Sequence, residues 1–282
     1  MSGARGVLVV SVDAPPRIGG VATTAHELAQ AFAERGGATL LGPAGAYTPP
    51  EWPRGYALIE DWEADPQRRD GAFAESEDRR IAALIARAID LNAIGRVLLI
   101  HAFYYGPGAI AAARAAGVPI DCFAHGTEIT SQAGRDRTDP IGLPARLART
   151  LRGVDRIWAN SRRTAAHAAA FAPGAAPRVC GVGLPLARVR TMLESPSDPA
   201  AGRRALGLPQ APRLSFVGRL TRHKRVDRAL RILAQLENAR LDVIGDGPER
   251  ARLEALAETL GLGDRVAFHG LVSEARKWAL LG

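Results

Sequence analysis

Residues 7–32 read VLVVSVDAPPRIGGVATTAHELAQAF, and the fold turns on how this stretch divides. Val7 to Val12 is an apolar run of strand length. Val21, Ala25, Leu28, Ala29 and Phe32 recur at helical spacing, so one face of the second half packs inward. Arg35, Gly36 and Gly37 then supply a basic last turn and glycine C-cap signals. The element is strand, glycine turn, helix. Two readings of Gly19-Gly20 stand side by side. Glycine tolerates positive φ and lets a chain reverse. It also lets a backbone approach an anion at a helix N-terminus, where free amides and the helix dipole favour negative charge. The spacing is not G-x-G-x-x-G, so nothing here argues for a nicotinamide cofactor.

The same alternation continues along the chain. Arg96 to Ile100 reads as a strand ending at His101, followed by a helix from about Ala109 to Ala116. Val118 to Ala124 is a buried strand ending at His125-Gly126. Leu143 to Leu151 is helical, and Asp155 to Ala159 is a strand ending at Asn160-Ser161, where another helix opens. Pro185, Pro196 and Pro199, among polar residues, mark an interdomain connection. The pattern then restarts with strand Leu214–Val217, turn Gly218-Arg219 and a helix from about Val226 to Leu236. Strand Leu241–Ile244, turn Gly245–Pro248, a helix to about Leu260 and strand Val266–Gly270 follow. Strands alternating with helices argue for parallel, doubly wound α/β sheets, here two in tandem. The expected division is 1–184, a linker at 185–201, and 202–282.

Composition narrows the partners. With 282 residues, 47% hydrophobic and 23% charged, the chain is long enough for two cores and ordinary for a globular protein. No apolar run reaches membrane-spanning length. The apolar N-terminal stretch flows into a glycine turn and helix, so no signal peptide is expected. Cys122 and Cys180 are the only cysteines and are not metal-spaced, which fits a reducing, cytoplasmic setting. The formal net charge is +8, and Lys224 and Lys277 are the only lysines. Such arginine richness beside abundant alanine is what a GC-rich genome gives; functionally it suits anionic substrates or a phospholipid surface. There is no recognisable nucleic-acid module, and nucleic acid is not an expected partner.

In open parallel sheets ligands bind at the carboxyl ends of the strands. Those ends carry Gly19-Gly20, His101, His125-Gly126, Asn160-Ser161, Gly218-Arg219 and His269-Gly270. Paired carboxylates are missing, as are a Ser-His-Asp order with a nucleophile elbow and a histidine pair at metal-ligand spacing. Hydrolysis and metal catalysis are not indicated, and no cofactor is expected.

At these positions the chain resembles the family 4 (group 1) glycosyltransferases of the GT-B fold. The resemblance covers nearly the whole chain and is most specific over Leu214–Gly270, where "FVGRLTRHKRVDRAL", "LDVIGDGPER" and "VAFHG" occur in the family's order. "IGGVATTAHELAQAF" and "HGTEI" (His125–Ile129) add to it. It implies two Rossmann-type domains and transfer of a sugar from a nucleotide diphosphate donor to an acceptor, with retention, without metal and without a covalent intermediate. Gly19 and Gly20 match the glycine loop facing the donor diphosphate. Arg219 and Lys224 match the basic pair that grips this diphosphate and stabilises it as leaving group. His125 matches the histidine near the reacting sugar, and Gly270 lies where the backbone meets the nucleotide base. Glu128 either orients an acceptor hydroxyl or caps a helix. Gly245–Pro248 is expected to be a turn and helix start.

Three departures stand out. Arg225 follows Lys224 where the family often has glycine, and "CGVGLP" replaces the more usual Asn-Gly-Val. No two glutamates stand eight apart, so the family's Glu-x7-Glu motif is absent. The second domain is therefore expected to be incomplete and transfer by the chain alone to be slight. The acceptor is expected to be a saccharide or lipid-linked, in cell-envelope polysaccharide or glycolipid synthesis. Arg146, Arg149, Arg152, Arg162 and Arg163 are expected to form a basic face, and an anionic membrane surface at the inner face of the cell membrane is a candidate partner. The alternatives are an inactive remnant that binds a partner or membrane, and a nucleotide-sugar epimerase of the same fold.

Overall fold

β1 (Gly6–Ser11) and α1 (Gly20–Gly36) are the strand and helix read from residues 7–32. The structure, a computed structural model, describes residues 6–14, 19–45, 54–64, 75–126, 129, 143–181, 183, 190 and 212–281. The chain divides into two units, Met1–Gly183 and Leu184–Gly282. Of the connection expected at 185–201 only Arg190 is described, and Glu128 lies outside the described residues.

The first unit continues with β2 (Ala38–Pro43), β3 (Ala57–Asp61), α2 (Glu75–Leu91), β4 (Ile94–Ile100) and α3 (Gly106–Ala115). β5 (Ile120–Ala124), α4 (Leu143–Gly153), β6 (Arg156–Ala159), α5 (Arg162–Phe171) and β7 (Arg178–Val179) complete it. The sheet runs β3-β2-β1-β4-β5-β6-β7, every neighbour parallel. Successive side chains along a strand point to opposite faces. Val9, Leu40, Leu98, Ile100 and Phe123 accordingly pack with Ala25 and Ala29 of α1. Leu8, Leu41, Val97, Leu99 and Ile120 pack with Ile81 and Ile85 of α2, Ala109 of α3 and Leu147 and Leu151 of α4. Because both faces are covered, Val7–Val10 of β1, Val97–Ile100 of β4 and Cys122–Ala124 of β5 read as apolar runs.

One expectation about this unit is corrected. Arg146 does not belong to an exposed basic face. Its side chain is 8% exposed and forms a bidentate pair with Asp78, at 2.9 and 2.5 Å. It also donates to the carbonyls of Phe103 and Tyr104, at 2.8 Å each. The helical spacing that places Arg146 beside Arg149 and Arg152 cannot show that the loop after β4 and the N-terminal turn of α2 close over it. Arg149, Arg152, Arg162 and Arg163 are exposed.

The second unit holds β8 (Arg213–Val217), a 3₁₀ turn (Arg222–Lys224), α6 (Val226–Leu233), β9 (Arg240–Ile244) and α7 (Arg250–Thr259). β10 (Val266–Gly270) and α8 (Glu274–Leu281) follow. Its strands run β10-β9-β8, all parallel. Leu241 and Val243 of β9 pack with Leu230 and Leu233 of α6 and Leu253 of α7. Asp242, between them in sequence, has the opposite parity and is fully buried. Its carboxylate accepts from Arg213 Nε at 2.6 Å and lies 2.6 Å from His269 Nε2, so one buried carboxylate ties all three strands. That gives His269 a structural task and separates it from its neighbour Gly270.

Candidate functional site

The carboxyl ends of β8, β9 and β10 are stitched together through backbone. Gly218 N donates to Ile244 O (3.0 Å), Leu220 N to Asp246 O (2.9 Å), Glu249 N to Leu220 O (3.1 Å) and Gly245 N to Gly270 O (2.8 Å). These loops approach so closely that a Cβ on Gly245 would meet Gly218 O at 2.1 Å, and one on Gly247 would meet Leu220 O at 2.4 Å. The Gly245–Pro248 stretch is thus a tight turn held against its neighbour, with α7 starting at Arg250.

Arg219 and Lys224 stand on this edge. Both are exposed, and among the described residues neither has a carboxylate partner. Arg222, between them, is likewise exposed and without a carboxylate partner among the described residues, whereas Arg213 pairs with Asp242, Arg225 with Asp227, Arg250 with Glu254 and Arg252 with Glu249. Lys224 ends the 3₁₀ turn, its amide donating to Thr221 O at 3.0 Å. Arg225 then takes a left-handed conformation, φ 56 and ψ 38, which explains why glycine suits this position. Gly270, at the end of β10, is buried with φ +67. An open cleft of about 700 Å³ nearby is lined by Arg222, His223, Arg225, Asp227, Glu249 and Arg252. It includes neither Arg219 nor Lys224, and two of its arginines are neutralised by its own carboxylates.

In the first unit, Gly19 and Gly20 lie at the start of α1, exposed. Gly19 has φ 164, which is extended backbone, and among the described residues a Cβ on either glycine would touch nothing within 4 Å. Neither a positive-φ reversal nor internal crowding accounts for the pair. The pair stands at the N-terminus of α1, where the first amides have no partner within the helix.

His125 follows β5 and is half-buried, its ring 5.2 Å from that of Phe123. Its carbonyl accepts from Asn160 Nδ2 at 2.6 Å. Asn160 Oδ1 in turn accepts from the Thr164 hydroxyl at 2.7 Å, and Ser161 caps α5 by accepting from Thr164 N at 3.1 Å. Gly126, φ +104, abuts the same hydroxyl: a Cβ there would lie 2.8 Å from it. The two strand ends read separately from sequence, His125-Gly126 and Asn160-Ser161, form one locked corner.

The sequence missed a polar network at the end of β3. Arg80 binds Asp61 through two bonds, at 2.8 and 3.0 Å, and Glu77 through two more, at 3.1 and 2.9 Å. The Tyr104 hydroxyl donates to Glu77 at 2.5 Å and the Tyr105 hydroxyl to Asp61 at 3.2 Å. Hydrogen bonds to Glu77 and Asp61 push the Arg80 guanidinium above its usual range, and burial pushes the Tyr105 phenol up. The network joins β3, α2 and the loop after β4: only Glu77–Arg80 has a local spacing, and the other bonds span 19 to 44 residues. Of the cysteines, Cys122 is buried, and burial raises the Cys180 thiol, which disfavours a reactive thiolate. Among the described residues no cluster of His, Cys, Asp or Glu could hold a metal ion, and no helix is long and apolar enough to cross a membrane.

Residues 18–188 match the profile of Glycosyltransferase Family 4, and residues 202–282 that of Glycosyl transferases group 1. A 2-deoxystreptamine glucosyltransferase of Streptomyces kanamyceticus is 33% identical over 170 residues, covering 57% of this chain and 44% of that protein. D-inositol 3-phosphate glycosyltransferase 1 of Catenulispora acidiphila is 30% identical over 227 residues, 67% of this chain and 52% of that protein. The chain thus spans about half the length of these curated relatives or less. A solved structure of Anabaena Alr3699/HepE, in complex with UDP and glucose, superposes with a TM-score of 0.72 at 17% identity, over 98% of this chain and 72% of that one. At that identity the likeness establishes the fold, GT-B.

Proposed function

Since the chain belongs to glycosyltransferase family 4, we propose that it serves transfer of a sugar from a nucleotide diphosphate donor to a hydroxyl of a second molecule. The observation that carries this reading is the pair Arg219 and Lys224, exposed on one stitched loop and without carboxylate partners among the described residues. Charge builds on the diphosphate as the glycosidic bond breaks, and preorganised cations stabilise it there. In the first unit, Gly19 and Gly20 offer the free amides of a helix N-terminus to a phosphate. Gly270 receives the base, and His125, held by Asn160, positions the reacting sugar. In the proposed reaction the two cations take the place of a metal at the leaving group, and retention without a covalent intermediate is what the resemblance to the family implies.

The UDP named for the Anabaena structure makes uracil the first base to test. Relatives named for 2-deoxystreptamine and D-inositol 3-phosphate point to ring polyols and saccharides as acceptors, lipid-linked glycans of the cell envelope among them. Arg149, Arg152, Arg162 and Arg163 meet anionic lipid at the cytoplasmic side of the membrane. Both matching profiles are of glycosyl transferases, which favours transfer over epimerisation. The test is a screen of the purified chain against nucleotide sugars, with turnover followed alongside. Binding of one donor, displaced by its nucleoside diphosphate, is expected; binding of none would contradict the reading.

A further inference from the structure

His101 follows β4 with φ +87. Among the described residues Ala93 and Arg225 are the other non-glycine residues with positive φ, at 47 and 56, near the left-handed well at about +57. His101 lies well outside it. A residue with a Cβ keeps such a conformation only where its surroundings enforce it, and such residues gather at ligand sites.

Its position adds a second argument. The strand order of the first sheet reverses between β1 and β4. In open parallel sheets the crevice outside the carboxyl ends at such a reversal is where ligands bind. Ile100 pairs with Ser11 of β1 and with Phe123 of β5, and His101 N donates to Phe123 O at 3.4 Å. His101 is therefore the first residue beyond the ladders at the centre of the sheet. His125 stands just past the end of the adjacent strand.

The loop after His101 is clamped from three elements. Arg146 of α4 donates to the carbonyls of Phe103 and Tyr104, at 2.8 Å each. Glu77 of α2 and Asp61 of β3 accept from the hydroxyls of Tyr104 and Tyr105. This clamp supplies the force that keeps the backbone of His101 out of its ordinary wells. The ring of His101 is half-buried and packs 5.5 Å from that of Phe103.

We propose that His101 contacts the acceptor in the first unit's crevice, its imidazole exchanging a hydrogen bond with a ring hydroxyl of a saccharide or cyclitol. A neutral imidazole offers one donor and one acceptor, which matches a hydroxyl that is both. The assignment of that ligand as an acceptor rests on the transferase reading; the contact itself does not.

The test uses the 282-residue chain and the variants His101→Gly and His101→Asn, with myo-inositol, glucose and UDP as probes. The ring resonances of His101, identified by their loss in His101→Asn, are followed by NMR. They should shift saturably with myo-inositol or glucose and stay in place with UDP alone. His101→Gly should unfold at a temperature no lower than the wild type, because glycine accepts the φ. Ring resonances unmoved by both polyols would overturn the proposal. So would a lower unfolding temperature for His101→Gly, since the imidazole would then be held for packing. UDP binding in the same samples reports on the second unit: its absence beside a responsive His101 counts against the donor reading alone.

Discussion

Gly245 and Gly218 meet backbone to backbone: a Cβ on Gly245 would stand 2.1 Å from the Gly218 carbonyl oxygen, and Gly245 holds φ +131. Neither the contact nor the dihedral admits a side chain. Gly245→Ala should destabilise the second unit by about 2–4 kcal/mol, through strain and displaced backbone together. It should also move the loop that carries Arg219. An unfolding midpoint equal to that of the wild type would contradict this.

Arg225 calls for the opposite substitution. Its φ of 56 is one that glycine adopts without steric cost. The exposed pair with Asp227 contributes little to stability. Arg225→Gly is expected to raise the unfolding temperature slightly; a clear fall would show that the ion pair outweighs the backbone.

Asp155 sets a pH dependence. Burial alone would push its carboxyl up, but the Ile120 amide at 2.8 Å and the Arg114 guanidinium at 2.7 Å outweigh it and hold the group below its ordinary value. A folded pKa below the unfolded one gives stability that is fully present above the unfolded value, about 3.9, and is lost as pH falls through the folded one. Asp155→Asn should therefore be destabilised at neutral pH, and its gap to the wild type should narrow in acid. Urea midpoints along a pH series would show it; a constant gap would contradict it.

The arginine surface divides into two kinds of residue. Replacing the exposed Arg149 and Arg152 by glutamine should weaken partitioning to anionic vesicles roughly 30-fold at low salt, at about 1 kcal/mol per charge near the surface. Partitioning to neutral vesicles should not change. Arg146→Gln should instead cost about 3 kcal/mol of stability, because it strands Asp78 and two loop carbonyls. Equal loss of vesicle binding for a folded Arg146→Gln would place that side chain on the surface after all.

How much was legible in the sequence follows from the physics of each element. β1, β4 and β5 are covered on both faces and announce themselves as apolar runs. β2, β3 and α2 escaped: β2 ends in Gly42-Pro43, and β3 is an edge strand of five residues that are mostly half-buried. The candidate residues were legible as strand ends, because a parallel sheet displays its ligand-facing residues there. What holds them was not. Asn160 beneath His125, Asp242 beneath His269 and Arg146 beneath the loop after β4 act across 35, 27 and 43 residues. Arg146 was even misassigned, since helical spacing fixes a face without saying what covers it.

The central claim is that Arg219 and Lys224 hold a nucleoside diphosphate. Calorimetric titration of the chain with UDP and with uridine, at low and high salt, tests it most directly. UDP should bind more tightly than uridine, its affinity should fall with salt, and Arg219→Ala and Lys224→Ala should each lower it by about tenfold or more, as a charge-assisted contact of 1.5–3 kcal/mol requires. UDP binding no tighter than uridine, or unchanged in both variants, would contradict the account.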